Sequence, residues 1–170
     1  LTDDQAEDLT MGLLPDGSPI LPNVKSLIVD QGVRFVNSFA DFPLCCPYRA
    51  SLLTGLAAHN HGVKENKYSW QAYRSHEPNS LPVWLQAAGY RTALFGKYVN
   101  DFGLEKGHAD KASTVSAPPG WNEWFVLYGK GKDSTKGDNG YLNWKALHNG
   151  TLLEFGLSPA DYSTDAIFSR

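Results

Sequence analysis

Cysteine is scarce in this chain: two among 170 residues, and they are neighbours, Cys45 and Cys46. Adjacent cysteines cannot staple distant segments, because a bridge between them is strained. A disulfide scaffold is excluded as the basis of the fold, and the cysteine count does not reveal the compartment. Long apolar runs are missing too; none approaches the roughly 20 residues that a membrane-spanning helix needs. There is no surplus of basic residues, with 15 Lys and Arg against 18 Asp and Glu, a net charge of −3. No basic stripe argues for nucleic acid. Internal repeats are absent. Methionine occurs once, and the chain opens on Leu1. Such a start is expected to have been trimmed, so the lack of a leader says little. What is present is a globular composition, 42% hydrophobic and 19% charged, long enough for one domain with a core.

Chemistry concentrates in the stretch from Leu44 to Gly55, Leu-Cys-Cys-Pro-Tyr-Arg-Ala-Ser-Leu-Leu-Thr-Gly. Pro47 suits the first turn of a helix, where a missing N–H costs nothing. Arg49 stands four residues after Cys45, one helical turn on. Cys45 is therefore expected at or just before a helix N-terminus, where free N–H groups and the dipole favour an anion. That outlines an oxyanion-binding nucleophile site.

The rest of the chain reads as alternating helix and strand. Pro15 to Pro19 is a loop by its turn chemistry. Leu21 to Gln31 reads as an amphipathic helix ended by Gly32, and Val33 to Phe39 as a strand. Ser80 is placed to cap a helix over Leu81 to Ala88, closed by Gly89, with a strand over Tyr90 to Phe95. Lys97 then falls at that strand's C-terminal edge, where ligands gather in open α/β sheets. Residues 102–119 and 129–140 are polar loops. The second lacks the spacing of a phosphate-cradling loop. Trp121 and Trp124 read as core more readily than as sugar-stacking platforms. Asn149-Gly150 between Tyr141 to Leu147 and Thr151 to Phe155 signals a hairpin. The turn explains Asn149-Gly150-Thr151 better than a glycosylation sequon does. Ser163 or Thr164 is expected to cap a final helix.

At the start, Asp3 and Asp4 are adjacent carboxylates, which repel unless a cation or proton lies between them. By themselves they read as a solvated acidic terminus. His59 and His61, with Cys45 and Cys46, raise a rival reading as a zinc site, but adjacent cysteines poorly fill two tetrahedral corners. The two histidines stay outside the candidate site.

Cys45-x-Pro47-x-Arg49 followed by Ser51-Leu52-Leu53-Thr54-Gly55 resembles the sulfatase signature, with Tyr48 where serine is usual. Thr2-Asp3-Asp4-Gln5 and Gly96-Lys97-Tyr98 resemble two further segments of that family. Tyr98-Val99-Asn100 is similar to its N-acetylglucosamine-6-sulfatase and bacterial arylsulfatase-like branch, and Val99 replaces a histidine that some members carry. The resemblance implies an α/β fold, a mostly parallel sheet sandwiched by helices as in the alkaline-phosphatase-like superfamily. It implies that residues 1–170 are the N-terminal part of a sulfatase catalytic domain, with the first strand and the C-terminal half outside them. It implies formylglycine at Cys45, made by a formylglycine-generating enzyme. Catalytic roles then fall on Cys45, Arg49 and Lys97, and Asp3, Asp4 and Cys45 ligate a divalent cation, Ca²⁺ before Mg²⁺. The substrate would be a sulfated sugar or small molecule, and the location secreted, periplasmic or lysosomal.

The family completes its cation site with a downstream Asp-Asn pair and adds a later lysine and histidine. Residues 1–170 alone are thus expected to turn over sulfate esters poorly. Two alternatives stand: a phosphonate or phosphate-ester hydrolase of the same superfamily, and a catalytically silent binding protein.

Overall fold

The computed structural model describes residues 1–103, 116–130 and 141–169. The expected loops over 102–119 and 129–140 fall outside them for residues 104–115 and 131–140. The chain divides into two compact units, Leu1–Ala40 and Asp41–Arg170.

The first unit is built from short local turns. Helix α1 spans Glu7–Met11 and buries no residue. The Pro15 to Pro19 turn forms as expected: Leu14 N–H donates to Ser18 O at 2.7 Å, and a single bridge joins Leu13 and Pro19. The long helix expected over Leu21 to Gln31 is a shorter pair, α2 at Pro22–Val24 running into a wider π-type turn at Lys25–Val29. The Lys25 ammonium reaches Asp30 at 2.6 Å, and the Asp30 N–H bonds back to the Lys25 carbonyl. Among the described residues the apolar face is left unburied, with Leu27 and Ile28 exposed; tertiary packing is what stabilises most helices. The strand expected over Val33 to Phe39 does not form. Among the described residues no ladder pairs with this stretch, and Val33, Phe35, Val36 and Phe39 are exposed. β-branched and aromatic residues favour a strand only when a neighbour supplies the ladder.

The second unit holds the core. Helix α3, Cys45–Thr54, buries Cys46, Ala50, Leu53 and Thr54, the i, i+4, i+7, i+8 face of a core-facing helix. Gly55 ends it at φ +69, donating to the Ser51 carbonyl. Short helices α4 (Ala58–His61) and α5 (Ser69–Tyr73) follow, then a 3₁₀ stretch at Arg74–Asn79. Helix α6, Leu81–Ala87, begins after Ser80, but that hydroxyl donates to the Glu77 carbonyl at 2.7 Å and caps nothing. The helix closes as expected, Gly89 at φ +88 with the Tyr90 N–H returning to Leu85 O, a glycine-terminated helix end.

Among the described residues four strands follow: β1 Ala93–Gly96, β2 Glu123–Lys130, β3 Trp144–His148 and β4 Thr151–Glu154, in that order across one sheet. The α/β class stands, and the sheet here is mixed: β1 and β2 are parallel, the other two ladders antiparallel. Strand β2 is two-sided. Trp124, Val126 and Tyr128 pack with α3, while Phe125 packs with Trp144, Ala146 and Ala166 on the other face, the period of two that a pleated strand imposes. Trp124 is thereby core, and Trp121 packs half-buried against the same cluster.

The β3–β4 hairpin turns at Asn149 (φ +47) and Gly150 (φ +88). The Asn149 side chain is occupied there: Oδ1 accepts from Trp124 N–H at 2.9 Å and Nδ2 donates to Glu123 Oε1. Helix α7, Ser163–Phe168, has Ser163 inside its first turn rather than as a side-chain cap.

Candidate active site

Cys45 occupies the first position of α3, with Leu44 as the flanking residue and Pro47 inside the first turn. The two cysteines part company here. Cys45 is half-buried, whereas Cys46 is fully buried, with its backbone N–H donating to Asn66 Oδ1 at 3.0 Å. Its sulfur accepts the Asn100 N–H at 3.2 Å. The outer thiol is thus available for chemistry, and the inner one is a packing residue that anchors the helix.

These contacts revise the expected anion site at the helix N-terminus. The Cys46 N–H is spent on Asn66, Pro47 has no N–H, and the Tyr48 N–H bonds to Leu44 O at 3.0 Å. Among the described residues only the Cys45 amide of that first turn lacks a partner. One N–H is a weak cradle for a doubly bonded, multiply oxygenated anion. An anion held here would draw most of its neutralising charge from side-chain cations.

Two such cations belong to the same neighbourhood. Arg49 lies one turn after Cys45, on the same side of α3. Its Nη1 donates to the backbone carbonyl of Lys97 at 2.6 Å. Lys97 directly follows β1, at the strand's C-terminal end, after Gly96 at φ +100. The turn after Lys97 is tied down again, since Asn100 O accepts from the Ser69 hydroxyl at 2.8 Å and the Trp70 N–H at 3.2 Å. Cys45, Arg49 and Lys97 therefore sit on two elements bonded to each other at two points, Arg49 to Lys97 and Asn100 to Cys46. Asp3 and Asp4 are exposed residues of the first unit, with Asp4 at φ +53.

Of the two histidines, His61 takes a structural place and His59 is exposed. His61 is buried, Nε2 lies 2.9 Å from Ser51 Oγ, and Nδ1 accepts the Val63 N–H at 3.1 Å. That acceptor role leaves the proton on Nε2, which donates to Ser51; Ser51 in turn donates to Asp41 at 2.7 Å. Burial pushes the His61 pKa down against the opposing pull of Asp41, and the Ser51 hydroxyl holds the Asp41 carboxyl below its ordinary value. With both ring nitrogens engaged, His61 offers nothing to zinc, and the two histidines and two cysteines do not converge as a metal group among the described residues.

Sequence reasoning missed Asn66, Asn100 and Asp41. Asn66 sits 20 positions from the amide it holds, within an ordinary polar stretch, and no local pattern marks it. Asp41 precedes a proline-containing turn into α3, which hints at order but not at its Ser51 partner.

Comparisons with known proteins give the chain its relatives. Residues 1–169 match the Sulfatase family. The chain is 34% identical, over all its length, to the "Putative extracellular sulfatase Sulf-1 homolog" of Caenorhabditis elegans, of which it covers 21%. It is 35% identical to human N-acetylglucosamine-6-sulfatase, over 98% of this chain and 28% of that protein. Among solved structures it is similar to BT4656 in complex with its substrate D-glucosamine-2-N,6-O-disulfate, with a TM-score of 0.54 and 27% identity, over 79% of this chain and 22% of that one. The chain spans 28% or less of the length of these curated relatives.

Proposed function

The chain belongs to the sulfatase family, and from that premise we propose that the protein hydrolyses sulfate monoesters of sugars, with Cys45 converted to formylglycine and a divalent cation at Asp3 and Asp4. The observation that supports this reading most is the bond from Arg49 to the Lys97 carbonyl. It ties the helix that begins at Cys45 to the strand end that carries Lys97.

Each residue then has a task. Formylglycine, once hydrated, would supply one hydroxyl to attack sulfur as the ester S–O bond breaks and the alcohol departs, and a second whose proton loss re-forms the aldehyde and expels the sulfate. Arg49, fixed through Lys97 O, holds a planar cation one turn from Cys45, and Lys97 adds a second positive charge for the sulfate oxygens. Asn66 and Cys46 hold the turn from which Cys45 projects, so that the nucleophile is oriented before substrate arrives. Two adjacent carboxylates with Asp4 in a left-handed backbone conformation suit a hard, oxygen-preferring ion, Ca²⁺ before Mg²⁺; backbone strain of this sort gathers at ligand sites. The cation supplies charge at the sulfate oxygens when bound. The family resemblance assigns Asp3, Asp4 and Cys45 to it.

The substrate class follows from relatives named for N-acetylglucosamine-6-sulfatase and from the disulfated glucosamine of BT4656. Export follows from the relatives named as extracellular sulfatases. No helix among the described residues is long and apolar enough to cross a membrane. A formylglycine-generating enzyme is the partner required in maturation.

The test is sulfate release from glucosamine 6-O-sulfate and glucosamine 2-N,6-O-disulfate by the full-length protein, with intact-mass analysis of the peptide holding Cys45. Cys45→Ala is expected to abolish release. An unmodified Cys45 thiol in protein from its natural host, with no sulfate released, overturns the proposal.

A further inference from the structure

One half-buried carboxyl has no part in the proposed chemistry. Glu77 lies in the 3₁₀ stretch between α5 and α6. Two donors from different elements meet on its Oε1: the Trp70 indole Nε1–H of α5 at 3.0 Å, and the Tyr98 hydroxyl at 3.3 Å. Its own carbonyl accepts the Ser80 hydroxyl at 2.7 Å, so the main chain at Glu77 is held as well as the side chain.

These bonds close a circuit. The Trp70 N–H and the Ser69 hydroxyl both donate to Asn100 O. The Trp70 side chain reaches Glu77, Glu77 accepts from Tyr98, and Tyr98 stands two residues before Asn100. Lys97 immediately precedes Tyr98, and its carbonyl takes the Arg49 bond at 2.6 Å. The stretch 97–100 is therefore anchored twice, to α3 through Arg49 and to α5 and the 3₁₀ stretch through Asn100 and Tyr98.

The Tyr98 ring is boxed in. Trp124, Phe102 and Tyr73 stand edge-on to it, with centroids 4.8, 5.4 and 5.8 Å away. Phenylalanine would fill that box equally well; the hydroxyl is what needs a partner. Burial pushes the Tyr98 pKa up, so the phenol keeps its proton and must donate it. Glu77 supplies the acceptor. The titratable and charged groups facing Glu77 are Tyr98, Tyr73 and Arg74. Arg74, 5.4 Å from the Trp70 ring centre, pulls the Glu77 pKa down, but burial outweighs it. The carboxyl thus costs stability where it stands. What it contributes is placement.

We propose that Glu77 is a positioning residue for Lys97: by holding the Tyr98 hydroxyl it fixes the stretch from which Lys97 meets the sulfate ester. The proposal rests on the sulfatase reading and on the task given there to Lys97. Glu77 acts through Tyr98 and takes no part in bond making.

The test uses the full-length protein and sulfate release from glucosamine 6-O-sulfate. Glu77→Leu removes the acceptor and is expected to lower kcat about tenfold, with KM changed less. Glu77→Gln keeps an acceptor and is expected to restore turnover to within about threefold of wild type. Tyr98→Phe deletes only the hydroxyl, leaves the box filled, and is expected to cost about as much as Glu77→Leu; it carries the test should Glu77→Leu fail to fold. Destabilisation alone would reduce turnover whatever residue stood at position 97, so the deciding comparison is made in a Lys97→Ala background. There Tyr98→Phe is expected to cost less than about twofold, because the residue it places is gone. The same loss in both backgrounds, wild-type turnover in Tyr98→Phe, or a Glu77→Gln as slow as Glu77→Leu overturns the positioning role and leaves the hydrolase reading intact. A wild-type protein that releases no sulfate overturns that reading, and the proposal with it.

Discussion

Asn66→Ala is the most informative single change outside the reacting residues. Among the described residues Asn66 Oδ1 is the one side-chain acceptor given to the N-terminus of α3: Leu44 offers no cap, and Cys46 N–H is the amide it takes. Loss of a helix N-cap costs about 0.5–2 kcal/mol, and a buried donor left unmade costs about 1–3 kcal/mol. Asn66 is half-buried, so water recovers part of the bond, and about 1–2 kcal/mol is the expected loss. That is roughly a 5- to 30-fold rise in local opening. Hydrogen exchange of the peptide 45–54, followed by mass spectrometry, reads it directly, without requiring the whole protein to unfold in two states. Asn66→Asp separates the cap from the charge. A carboxylate still accepts from Cys46 N–H and gains from the positive end of the helix dipole, about 0.3–1 kcal/mol. Protection should therefore return in Asn66→Asp, while KM for a sulfate ester rises, because a negative charge now stands beside the sulfate. Wild-type exchange in Asn66→Ala, or the same loss in Asn66→Asp as in Asn66→Ala, would refute the capping argument.

Two further predictions concern stability. Burial raises the Glu77 pKa, with the Trp70 and Tyr98 side chains and Arg74 pulling it back. A carboxyl whose folded pKa lies above its unfolded value loses stability as pH rises through the folded pKa. Glu77→Gln keeps an acceptor for Trp70 Nε1, now 3.0 Å from Glu77 Oε1, and has no charge to bury. Its Tm relative to wild type should rise between pH 4 and pH 7; a difference flat with pH would count against the assignment. Asn149→Ala loses a residue that tolerates φ +47 and strips Trp124 N–H of its 2.9 Å acceptor. About 2–3 kcal/mol is expected from the left-handed strain and the lost bond, seen as faster exchange in peptides over 123–130 and 144–154. Unaltered exchange there would mean that the turn is set by Gly150 alone.

The parts of the fold that the sequence disclosed are those whose signals are local. Pro47 and Gly55 bracket α3 because each acts within one turn of itself. Asn149-Gly150 marks its hairpin because two successive positive φ values are needed there and few residue pairs supply them. Lys97 falls at a strand end because the strand read over Tyr90 to Phe95 stops just before it. The misreadings share one cause. Val33 to Phe39 and the face of Leu27 and Ile28 carry the composition of strand and helix, but composition states a preference that only a packing partner can realise. Ser80 has the right side chain for a cap, yet the preceding 3₁₀ stretch presents the Glu77 carbonyl first, and a hydroxyl used as donor there is not a cap.

The candidate site divides along the same line. Cys45 and Arg49 are legible because they lie one helical turn apart. Their support is not, because it arrives from 20 and 54 positions away as Asn66 and Asn100. The consequence for mechanism is a change in where the positive charge comes from. A helix N-terminus with free amides could have cradled the sulfate by itself, and the sequence suggested as much. Once Asn66 takes one amide and Pro47 removes another, the helix contributes position more than charge. On the proposed reading, the burden of neutralising the anion then moves to Arg49 and Lys97, with any cation at Asp3 and Asp4. Arg49→Lys tests that shift: it keeps the charge but gives up the planar fork that reaches Lys97 O at 2.6 Å. If Arg49 both neutralises and positions, kcat should fall about 10- to 100-fold, a price set by misplacement of the strand end. If charge alone mattered, Arg49→Lys would retain near-full turnover and the coupling between α3 and β1 would be incidental.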